Sequence, residues 1–413
     1  MATFSSAFHP SPDVAALRKQ YVGKTLADIP TPAFIVNRKV MKKNCDTMLQ
    51  RAANMKAAFR AHVKTHKCDE GVILQLGPDG QCDRVVVSTL MEAWKMIPFY
   101  KSGQIKDVLY GLPVVKSRLD ELSALRKEVA ELRLMIDHPS QVDVLNSYNE
   151  KTGEKPWSIF IKVNMGTNRA GVISESEELK KLIQKALDST KAVSLYGFYC
   201  HAGHSYASSS QDEAKKYLYQ EIEAADKAAV IAKSLKPDLD LVISVGSTPT
   251  SHSSEAVELD KLANLSAHLE LHAGNYPFCD LQQIATNCIT KDNVACTVLA
   301  EVASCYAGRG TLAPGETLVN AGVIALAREP GPIPGLGQVV TPGHEGWFVG
   351  RVSQEHGILV PGEKAATPEF PELGDRLQII PQHSCITANA YHWYYITDDD
   401  DKVVDIWGTW RGW

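Results

Sequence analysis

A short stretch near the start of the chain concentrates side chains that can bind anions or form a covalent bond to a carbonyl group. Arg60, His62, Lys64, His66 and Lys67 lie within eight residues, between an apolar run and a helix-like segment. Active sites of α/β proteins lie where a strand leads into a helix, so this cluster could be catalytic. A solvated run of charges is the alternative, and the cluster alone leaves both interpretations open.

A second candidate is the segment Gly246-Ser247-Thr248-Pro249-Thr250, which has the composition of an anion site. Glycine lets the backbone approach an anion, the hydroxyls can donate hydrogen bonds, and Pro249 suits the first turn of a helix. The N–H groups at a helix start attract negative charge. A simple Ser/Thr helix cap is the alternative interpretation.

His383 and Cys385 form a third candidate, far away in the sequence. Two residues apart on a strand, they would project to one face, where a single metal could take both. Imidazole and thiolate are ligands that suit zinc. For an isolated His-x-Cys, a buried cysteine beside an incidental histidine is the favoured interpretation.

The elements that must position these residues follow a regular rhythm. Eight short apolar runs, separated by helix-like segments, cover residues 57–64, 84–90, 107–112, 132–137, 157–163, 194–201, 239–245 and 268–273. Alternating strands and helices predict a parallel sheet with right-handed crossovers, and eight such units match the size of a (β/α)8 barrel. An open doubly wound sheet is disfavoured because no GxGxxG motif follows an early strand.

Enzymes of this architecture place their catalytic groups at the carboxyl ends of the strands. Five of the predicted strand ends carry polar residues or glycine, among them Lys64, Arg169, Tyr199, His201, Tyr206, Gly246, Ser247 and Tyr276. Phosphate sites in such barrels lie after strands 7 and 8, which favours an anion site at 246–250 over a simple cap. A phosphorylated ligand facing Lys64 predicts pyridoxal phosphate, whose aldehyde forms a Schiff base with a lysine.

After residue 285 the helical periodicity fades. Strand-like runs punctuated by glycine and proline cover 295–306, 317–325, 346–352, 376–380, 391–397 and 402–410, which predicts an all-β domain. We therefore expect an N-terminal helix and linker over 1–28, a (β/α)8 barrel over 29–285 and a C-terminal β domain over 286–413. The last of these carries His383 and Cys385.

Composition narrows the classes of partner and compartment. The 413 residues carry a net charge of −5 without a basic block, so nucleic acid is not an expected partner. No apolar stretch has the length of a membrane span or of a signal peptide. The nine cysteines are scattered and never form a CxxC pair, which is typical of free thiols in a reducing compartment. We expect a cytoplasmic protein.

Several of these segments together resemble one family. They are residues 60–67, 168–171, 246–248, 273–276 and 381–385. They are similar to the D-serine dehydratases of the eukaryotic kind, which are alanine-racemase-like, fold type III enzymes related to D-threonine aldolase and D-threo-3-hydroxyaspartate dehydratase. The resemblance covers nearly the whole chain. It implies a pyridoxal phosphate- and zinc-dependent β-elimination of water from D-serine, which gives pyruvate and ammonia.

The resemblance also implies roles for individual residues. Lys64 would hold the cofactor and remove the α-proton, and zinc on His383 and Cys385 would expel the β-hydroxyl. Arg169 would reach the polar edge of the pyridine ring, His201 would lie near the ring, and the phosphate would lie near Gly246, Ser247 and Tyr276. Tyr199 and Tyr206 are added as cofactor contacts because they lie at the end of strand 6. A homodimer is implied, in which the metal ligands serve either their own barrel or that of the partner.

Other functions are compatible with parts of the pattern. D-threonine aldolase and D-threo-3-hydroxyaspartate dehydratase share the implied fold. Cys385 argues against the aldolase, because the resemblance implies that aldolases of this fold have a carboxylate ligand in place of the cysteine. A non-catalytic pyridoxal phosphate carrier resembles a bare barrel, so the β domain counts against it. A metal-dependent barrel hydrolase without the cofactor is a further alternative. The sequence does not rank D-serine, D-threonine and 3-hydroxyaspartate, because the shape of the substrate pocket decides among them.

Overall fold

A computed structural model describes residues 11–362 and 370–412 of the chain. The strands of these residues form two sheets. The helices are α1 Val14–Tyr21, α2 Arg38–Asn54, α3 Asp69–Leu76, α4 Leu90–Lys95, α5 Ile97–Lys101, α6 Leu119–Glu128, α7 Pro139–Thr152, α8 Glu177–Asp188, α9 Gln211–Leu235, α10 Thr248–His252, α11 Leu281–Ala285, α12 Val323–Leu326 and α13 Ser384–Ala388. The strands are β1 Ala33–Asn37, β2 Ala58–His62, β3 Arg84–Val87, β4 Asp107–Pro113, β5 Leu132–Ile136, β6 Trp157–Asn164, β7 Val172–Ile173, β8 Val193–Cys200, β9 Val242–Val245, β10 His268–Ala273, β11 Cys296–Ala307, β12 Gly315–Val319, β13 Gly337–Val339, β14 Trp347–Val352, β15 Gly357–Pro361, β16 Arg376–Pro381, β17 Trp393–Thr397 and β18 Asp405–Gly408.

The first sheet is a closed barrel of eight parallel strands. Its order is β2-β3-β4-β5-β6-β8-β9-β10, with β10 hydrogen-bonded back to β2 and the two-residue β7 added beside β6. Most residues of the strands are apolar because one face meets the barrel interior and the other meets the helices. All five residues of β5, for example, are buried. The predicted (β/α)8 barrel is confirmed.

A layer of charged side chains fills the end of the barrel away from the carboxyl ends of the strands. Arg60 on β2 is wholly buried, and its guanidinium lies 2.6 Å from Glu270 on β10 and 2.6 Å from Asp107 on β4. Arg133 on β5 donates to the other oxygen of Asp107, also at 2.6 Å, and Arg84 on β3 lies 3.2 Å from Glu270. The charges compensate one another, so the interior tolerates them without water.

Replacement of Arg60 by alanine should lower the free energy of unfolding by about 3–5 kcal/mol, because Glu270 and Asp107 would stay buried with less compensation. Urea denaturation followed by circular dichroism measures this change. Arg18→Ala is the matched control, since Arg18 pairs with Asp405 at 2.6 Å but its side chain is 44% exposed. Exposed ion pairs contribute at most about 1 kcal/mol, so equal losses in the two variants would contradict the importance of the buried layer.

The second sheet forms the β domain. Six antiparallel strands close into a smaller barrel in the order β11-β12-β15-β14-β13-β16, and β1, β17 and β18 extend it from β11. Strand β1 pairs antiparallel with β11 and parallel with β17. The range 29–285, expected to be the barrel domain, therefore includes one strand of the other sheet, while the domain limits themselves stay a prediction.

Some local expectations in the β domain were wrong. The run predicted as a strand over 317–325 is β12 followed by the helical turn α12, because the N–H groups of Val323 and Ile324 bond to the carbonyls of Ser353 and Gln354 in a neighbouring loop. Strands β13 and β15 were not predicted. No helix in the described part of the chain is both long and apolar enough to cross a bilayer.

Candidate active site

A cavity of about 530 Å³ opens at the carboxyl ends of the barrel strands. Seven residues predicted for the cofactor site line it, namely Lys64, Arg169, Tyr199, His201, Tyr206, Gly246 and Ser247. Residues not assigned from the sequence also line it, including His62, Ser88, Asp137, Lys162, Thr248 and His272. The expectation that catalytic groups lie at the carboxyl ends of the strands therefore identified residues up to 183 positions apart in the sequence (64 to 247) that share one cavity.

Lys64 lies in a turn just after β2, not on the strand itself as predicted. The turn begins because Thr65 donates a hydrogen bond to the Gly274 carbonyl at 2.8 Å, which ties the β2 end to the β10 end. The approach at Gly274 is close, since a Cβ there would lie 3.3 Å from Lys64 Cε and 3.2 Å from His62 Cβ, and these side chains would have to shift. The turn leaves the Lys64 amine in the cavity.

Lys67, the other lysine of the basic cluster, forms an ion pair instead of lying in solvent. Its ammonium lies 2.7 Å from the Glu92 carboxylate, and its side chain is only 13% exposed. Its φ of 47° lies in the left-handed region and redirects the chain at this point. Within the basic cluster, the structure thus separates Lys64, in the cavity, from Lys67, in an ion pair.

The loop after β9 holds the segment 246–250, for which the sequence allowed an anion site or a simple helix cap. Gly246 has a φ of 135°, and a Cβ on it would lie 2.2 Å from the His272 carbonyl oxygen, so glycine is required. Ser247 caps α10: its hydroxyl accepts from the Thr250 N–H at 3.3 Å, and its own N–H donates to the Thr250 hydroxyl at 2.8 Å. The helix cap is formed, and the same residues line the cavity.

Three aromatic and imidazole rings stand in a row along the cavity wall. The Tyr199 and His272 rings stack with centroids 3.9 Å apart, and His201 follows, with its Nδ1 2.7 Å from the Gly246 carbonyl oxygen. His272 Nδ1 lies 3.0 Å from the Ser244 hydroxyl, and its Nε2 is buried without a hydrogen-bond partner among the described residues. Burial lowers the pKa of both histidines well below the usual value, so they are neutral at pH 7.

Lys162 on β6 is a second amine at the cavity, missed from the sequence although a lysine inside an apolar strand run is a signal. It is 8% exposed, and its ammonium lies 4.3 Å from the centre of the Tyr199 ring. Burial lowers its pKa to about 8. Glu221 on α9 lies behind the same wall and accepts hydrogen bonds from the Ala202 N–H and the Thr250 hydroxyl. Burial raises the pKa of Glu221 to about 8.

Tyr276 was predicted to lie near a phosphate, and its position does not support this. Its side chain is fully buried outside the cavity, where it packs edge-to-face on Phe59 with ring centroids 5.7 Å apart. The chain has already turned three residues beyond the end of β10, so the ring enters the apolar layer behind the barrel wall. Tyr206, by contrast, lies in the cavity beside Thr248, which donates a hydrogen bond to its oxygen.

His383 and Cys385 were expected on a strand, but β16 ends at Pro381 and His383 is the residue just before α13. Their side chains nevertheless meet in a hydrogen bond. Cys385 Sγ lies 3.0 Å from the Thr65 hydroxyl and 3.4 Å from Asn275 Nδ2. The pair therefore lies against the residue that follows Lys64 in the same chain.

His383 and Cys385 form a charge pair, and a metal would displace the His383 proton, because metal binding needs a thiolate and a neutral imidazole. Burial raises the pKa of Cys385, but His383 outweighs it through its charge and hydrogen bond and lowers the pKa to about 7. For His383, burial acts downward, and the Cys385 thiolate outweighs it and raises the pKa to about 9. Among residues 11–362 and 370–412, no three His, Cys, Asp or Glu side chains converge on one point. A zinc ion here would complete its coordination with water or substrate.

Buried neutral histidines give the protein a pH dependence. Burial lowers the pKa of His66 to about 4, below the 6.5 of an exposed histidine. The unfolded chain therefore binds its proton first, and the free energy of unfolding should fall between pH 6.5 and 4, by about 3 kcal/mol for this residue. Urea denaturation over this range should show a shallower fall in His66→Gln. His268→Gln is the control, since its side chain is 76% exposed, and an unchanged slope in His66→Gln would contradict the prediction.

Comparison with known proteins agrees with this architecture. Residues 36–262 match the model described as "Alanine racemase, N-terminal domain", and residues 295–397 match "Putative serine dehydratase domain". The D-serine dehydratase of Schizosaccharomyces pombe is 52% identical over 412 residues, which cover 99% of this chain and 98% of that protein. The chain belongs to the D-serine dehydratase family. The family member of Saccharomyces cerevisiae is 36% identical, with 95% of this chain and 99% of that protein covered.

Solved structures extend the family fold to bacterial relatives. The D-threo-3-hydroxyaspartate dehydratase from Delftia sp. HT23 matches with a TM-score of 0.82 and 28% identity. The match covers 94% of this chain and 100% of that chain. A cysteine-to-alanine variant of that enzyme, solved in the metal-free form, matches with the same score, identity and coverage. The resemblance to D-serine dehydratases and the expected fold type III architecture are both confirmed.

Proposed function

We propose that this protein is a D-serine dehydratase that uses pyridoxal phosphate and zinc to eliminate water from D-serine. The observation that carries the proposal is the meeting of two distant motifs at one barrel mouth. Cys385 lies 3.0 Å from Thr65, the residue next to Lys64, so a metal on Cys385 and an aldehyde on Lys64 would share one substrate. The identity of 52% to a protein named D-serine dehydratase supports the same activity.

The residues of the cavity fit pyridoxal phosphate. Lys64 offers an amine, Gly246 and Ser247 offer a close backbone and a hydroxyl for the phosphate, and Arg169 offers positive charge at the ring's polar edge. The buried Nε2 of His272 has no hydrogen-bond partner among the described residues, which leaves it free for a polar group of a ligand. Bound pyridoxal phosphate supplies an electron sink for the charge that develops at the substrate's α-carbon.

Lys64 is the residue proposed to move the α-proton. Burial lowers the pKa of His62 and His201, which line the same cavity, well below the usual value, so both are weak bases. The Lys162 ammonium packs on the Tyr199 ring, 4.3 Å from its centre. The Lys64 amine at the mouth is therefore the base best placed to take a proton from a bound amino acid and return it.

His383 and Cys385 are proposed to hold zinc beside the cavity, next to the turn that carries Lys64. Zinc would supply Lewis-acid stabilisation of the departing β-hydroxyl. The Thr65 hydroxyl and the Asn275 amide contact the Cys385 sulfur and fix its position. Loss of water from D-serine, followed by hydrolysis of the released enamine, gives pyruvate and ammonia.

The choice of substrate is tested by feeding the purified protein D-serine, D-threonine and D-threo-3-hydroxyaspartate separately. We expect pyruvate and ammonia in equal amounts from D-serine, with the highest kcat/KM of the three. The second candidate is the D-threo-3-hydroxyaspartate dehydratase activity, favoured by the TM-score of 0.82 to that enzyme. Glycine and acetaldehyde from D-threonine, without pyruvate from D-serine, would instead identify an aldolase and overturn the proposal.

We further propose a cytoplasmic homodimer in which each metal pair serves its own barrel. The contact between Cys385 and Thr65 within one chain supports the assignment to its own barrel. Two apolar side chains beside the metal pair support an interface there, since Ile324 on α12 is 57% exposed and Ile386 on α13 is 48% exposed. All nine cysteines are free thiols, as a reducing compartment requires. Light scattering on the eluting protein tests the dimer.

A further inference from the structure

Asp280 is a wholly buried carboxylate directly behind the metal pair. One of its oxygens accepts hydrogen bonds from the Ser384 N–H at 2.9 Å, the Ser384 hydroxyl at 3.2 Å and Asn275 Nδ2 at 2.6 Å. The other oxygen accepts from the Gln283 N–H at 3.0 Å, at the start of α11. The carboxylate thus joins the loop after β10 to the turn between His383 and Cys385.

The Asp280 carboxylate acts on His383 through its charge and helps to raise the pKa of that imidazole. Within 11–362 and 370–412, Asp280 forms no ion pair with a lysine, an arginine or a histidine. Donated hydrogen bonds stabilise its charge, but a buried carboxylate is normally paired with a cation or placed near a metal. Asp107 and Glu270, the buried carboxylates of the charged layer inside the barrel, are each paired with arginine. Asp280 differs from them by lying next to a candidate metal site.

Asp280 is connected to both proposed metal ligands through residues that bond to it directly. Ser384, which gives it two hydrogen bonds, lies between His383 and Cys385 in the chain. The Asn275 amide nitrogen, which gives it a third, also lies 3.4 Å from Cys385 Sγ. A change at Asp280 would therefore alter both the position of the ligand turn and the charge that a metal meets there.

We propose that Asp280 is a positioning residue for zinc: it fixes the turn that carries His383 and Cys385 and supplies negative charge that favours a divalent cation. This inference rests on the proposed function, because it concerns the same metal. It predicts that Asp280 acts on zinc affinity without touching the substrate or the pyridoxal phosphate. Carboxylates and amides that hydrogen-bond to a ligand turn commonly change metal affinity by about 10- to 100-fold.

The test is the zinc dissociation constant of the full-length, pyridoxal phosphate-loaded protein, measured by competition with a chelating dye. Asp280→Asn keeps the size of the side chain and removes its charge, and we expect zinc to bind about 10- to 100-fold more weakly. Glu316→Gln is the matched control, since Glu316 is a buried carboxylate of the β domain that pairs with Arg351 at 2.6 Å instead. Its zinc affinity should equal that of the wild type.

A second readout separates positioning from a general loss of stability. The rise in melting temperature on adding zinc should be smaller in Asp280→Asn than in the wild type, because binding to the folded state alone stabilises it in proportion to affinity. The absorbance of the Lys64-bound cofactor should stay unchanged. Should Asp280→Asn fail to fold, Ser384→Ala removes one hydrogen bond to the carboxylate, and we expect a smaller loss of zinc affinity.

The outcomes distinguish this inference from the proposed function. Zinc affinity equal to the wild type in Asp280→Asn, or in Ser384→Ala where only that variant folds, would overturn the role of Asp280 alone. Zinc binding that is equally strong in the wild type and in Cys385→Ala would instead remove the metal from Cys385 and overturn the proposed function. Weaker binding in Asp280→Asn, with Glu316→Gln unchanged, supports the inference.

Discussion

Replacement of Lys64 by alanine should lower the rate of pyruvate formation from D-serine by at least about 10³-fold, because it removes both the cofactor's attachment and the proposed base. The visible absorbance of a lysine-bound pyridoxal group should disappear in the same variant. We do not expect Lys162, the other lysine that lines the cavity, to substitute for Lys64, since its ammonium packs on the Tyr199 ring. Absorbance spectra and a coupled pyruvate assay measure the two effects on the same sample.

The matched control is Lys67→Arg, a change within the same basic cluster. Lys67 pairs with Glu92 away from the cavity, and arginine keeps that ion pair. Absorbance and turnover should therefore stay close to those of the wild type. Retention of the cofactor band in Lys64→Ala would show that another amine, with Lys162 as the first candidate, holds the cofactor.

Removal of the metal is expected to have the second largest effect. Lewis-acid stabilisation of a departing oxygen contributes several kcal/mol, so Cys385→Ala should lower kcat by about 10²- to 10⁴-fold. Chelation of the wild-type protein should do the same, and added zinc should restore the wild type but not the variant. Pyruvate formation from D-serine, with zinc content measured in parallel, tests both.

Cys305→Ala is the control for this experiment. Cys305 is another free thiol of the β domain, and its sulfur donates to the Pro371 carbonyl, away from the barrel mouth. Its replacement should leave both zinc content and turnover unchanged. Full activity of the wild type after complete removal of zinc would exclude a metal role, while the assignment of Lys64 would stand.

The barrel was predictable because its strands carry a strong local signal. Most residues of a strand buried on both faces are apolar, and runs such as 157–163 and 268–273 coincide with β6 and β10 to within one residue, although polar residues interrupt both. Strand β13, with three residues next to a glycine- and proline-rich loop, has no such signal. The partners of β1 could not be predicted either, since its pairing with β11 and β17 joins residues more than 250 positions apart and leaves no mark on the local sequence.

Site residues were predictable where the end of a strand determines their position. They were less predictable where the direction of the side chain determines whether it enters the cavity. The rule placed Lys64, Arg169 and His201 at the mouth, and they line the cavity. It failed for Tyr276, because the chain turns after β10 and sends the ring outward. His272 was missed because it lies inside a strand, and only its unpaired Nε2 in the folded protein marks it as a candidate for ligand contact.

Strand β1 has a consequence for how the protein can be divided. It lies between β11 and β17 in the sheet, although 258 residues separate its end at Asn37 from the start of β11 at Cys296 (296 − 37 − 1). A fragment beginning at residue 286 would lack this strand and expose two unpaired strand edges. A peptide that contains Ala33–Asn37 could fill that gap by adding a strand. The two domains therefore cannot be separated by a single cut, and β1 can take its place only after the strands that flank it have been synthesised.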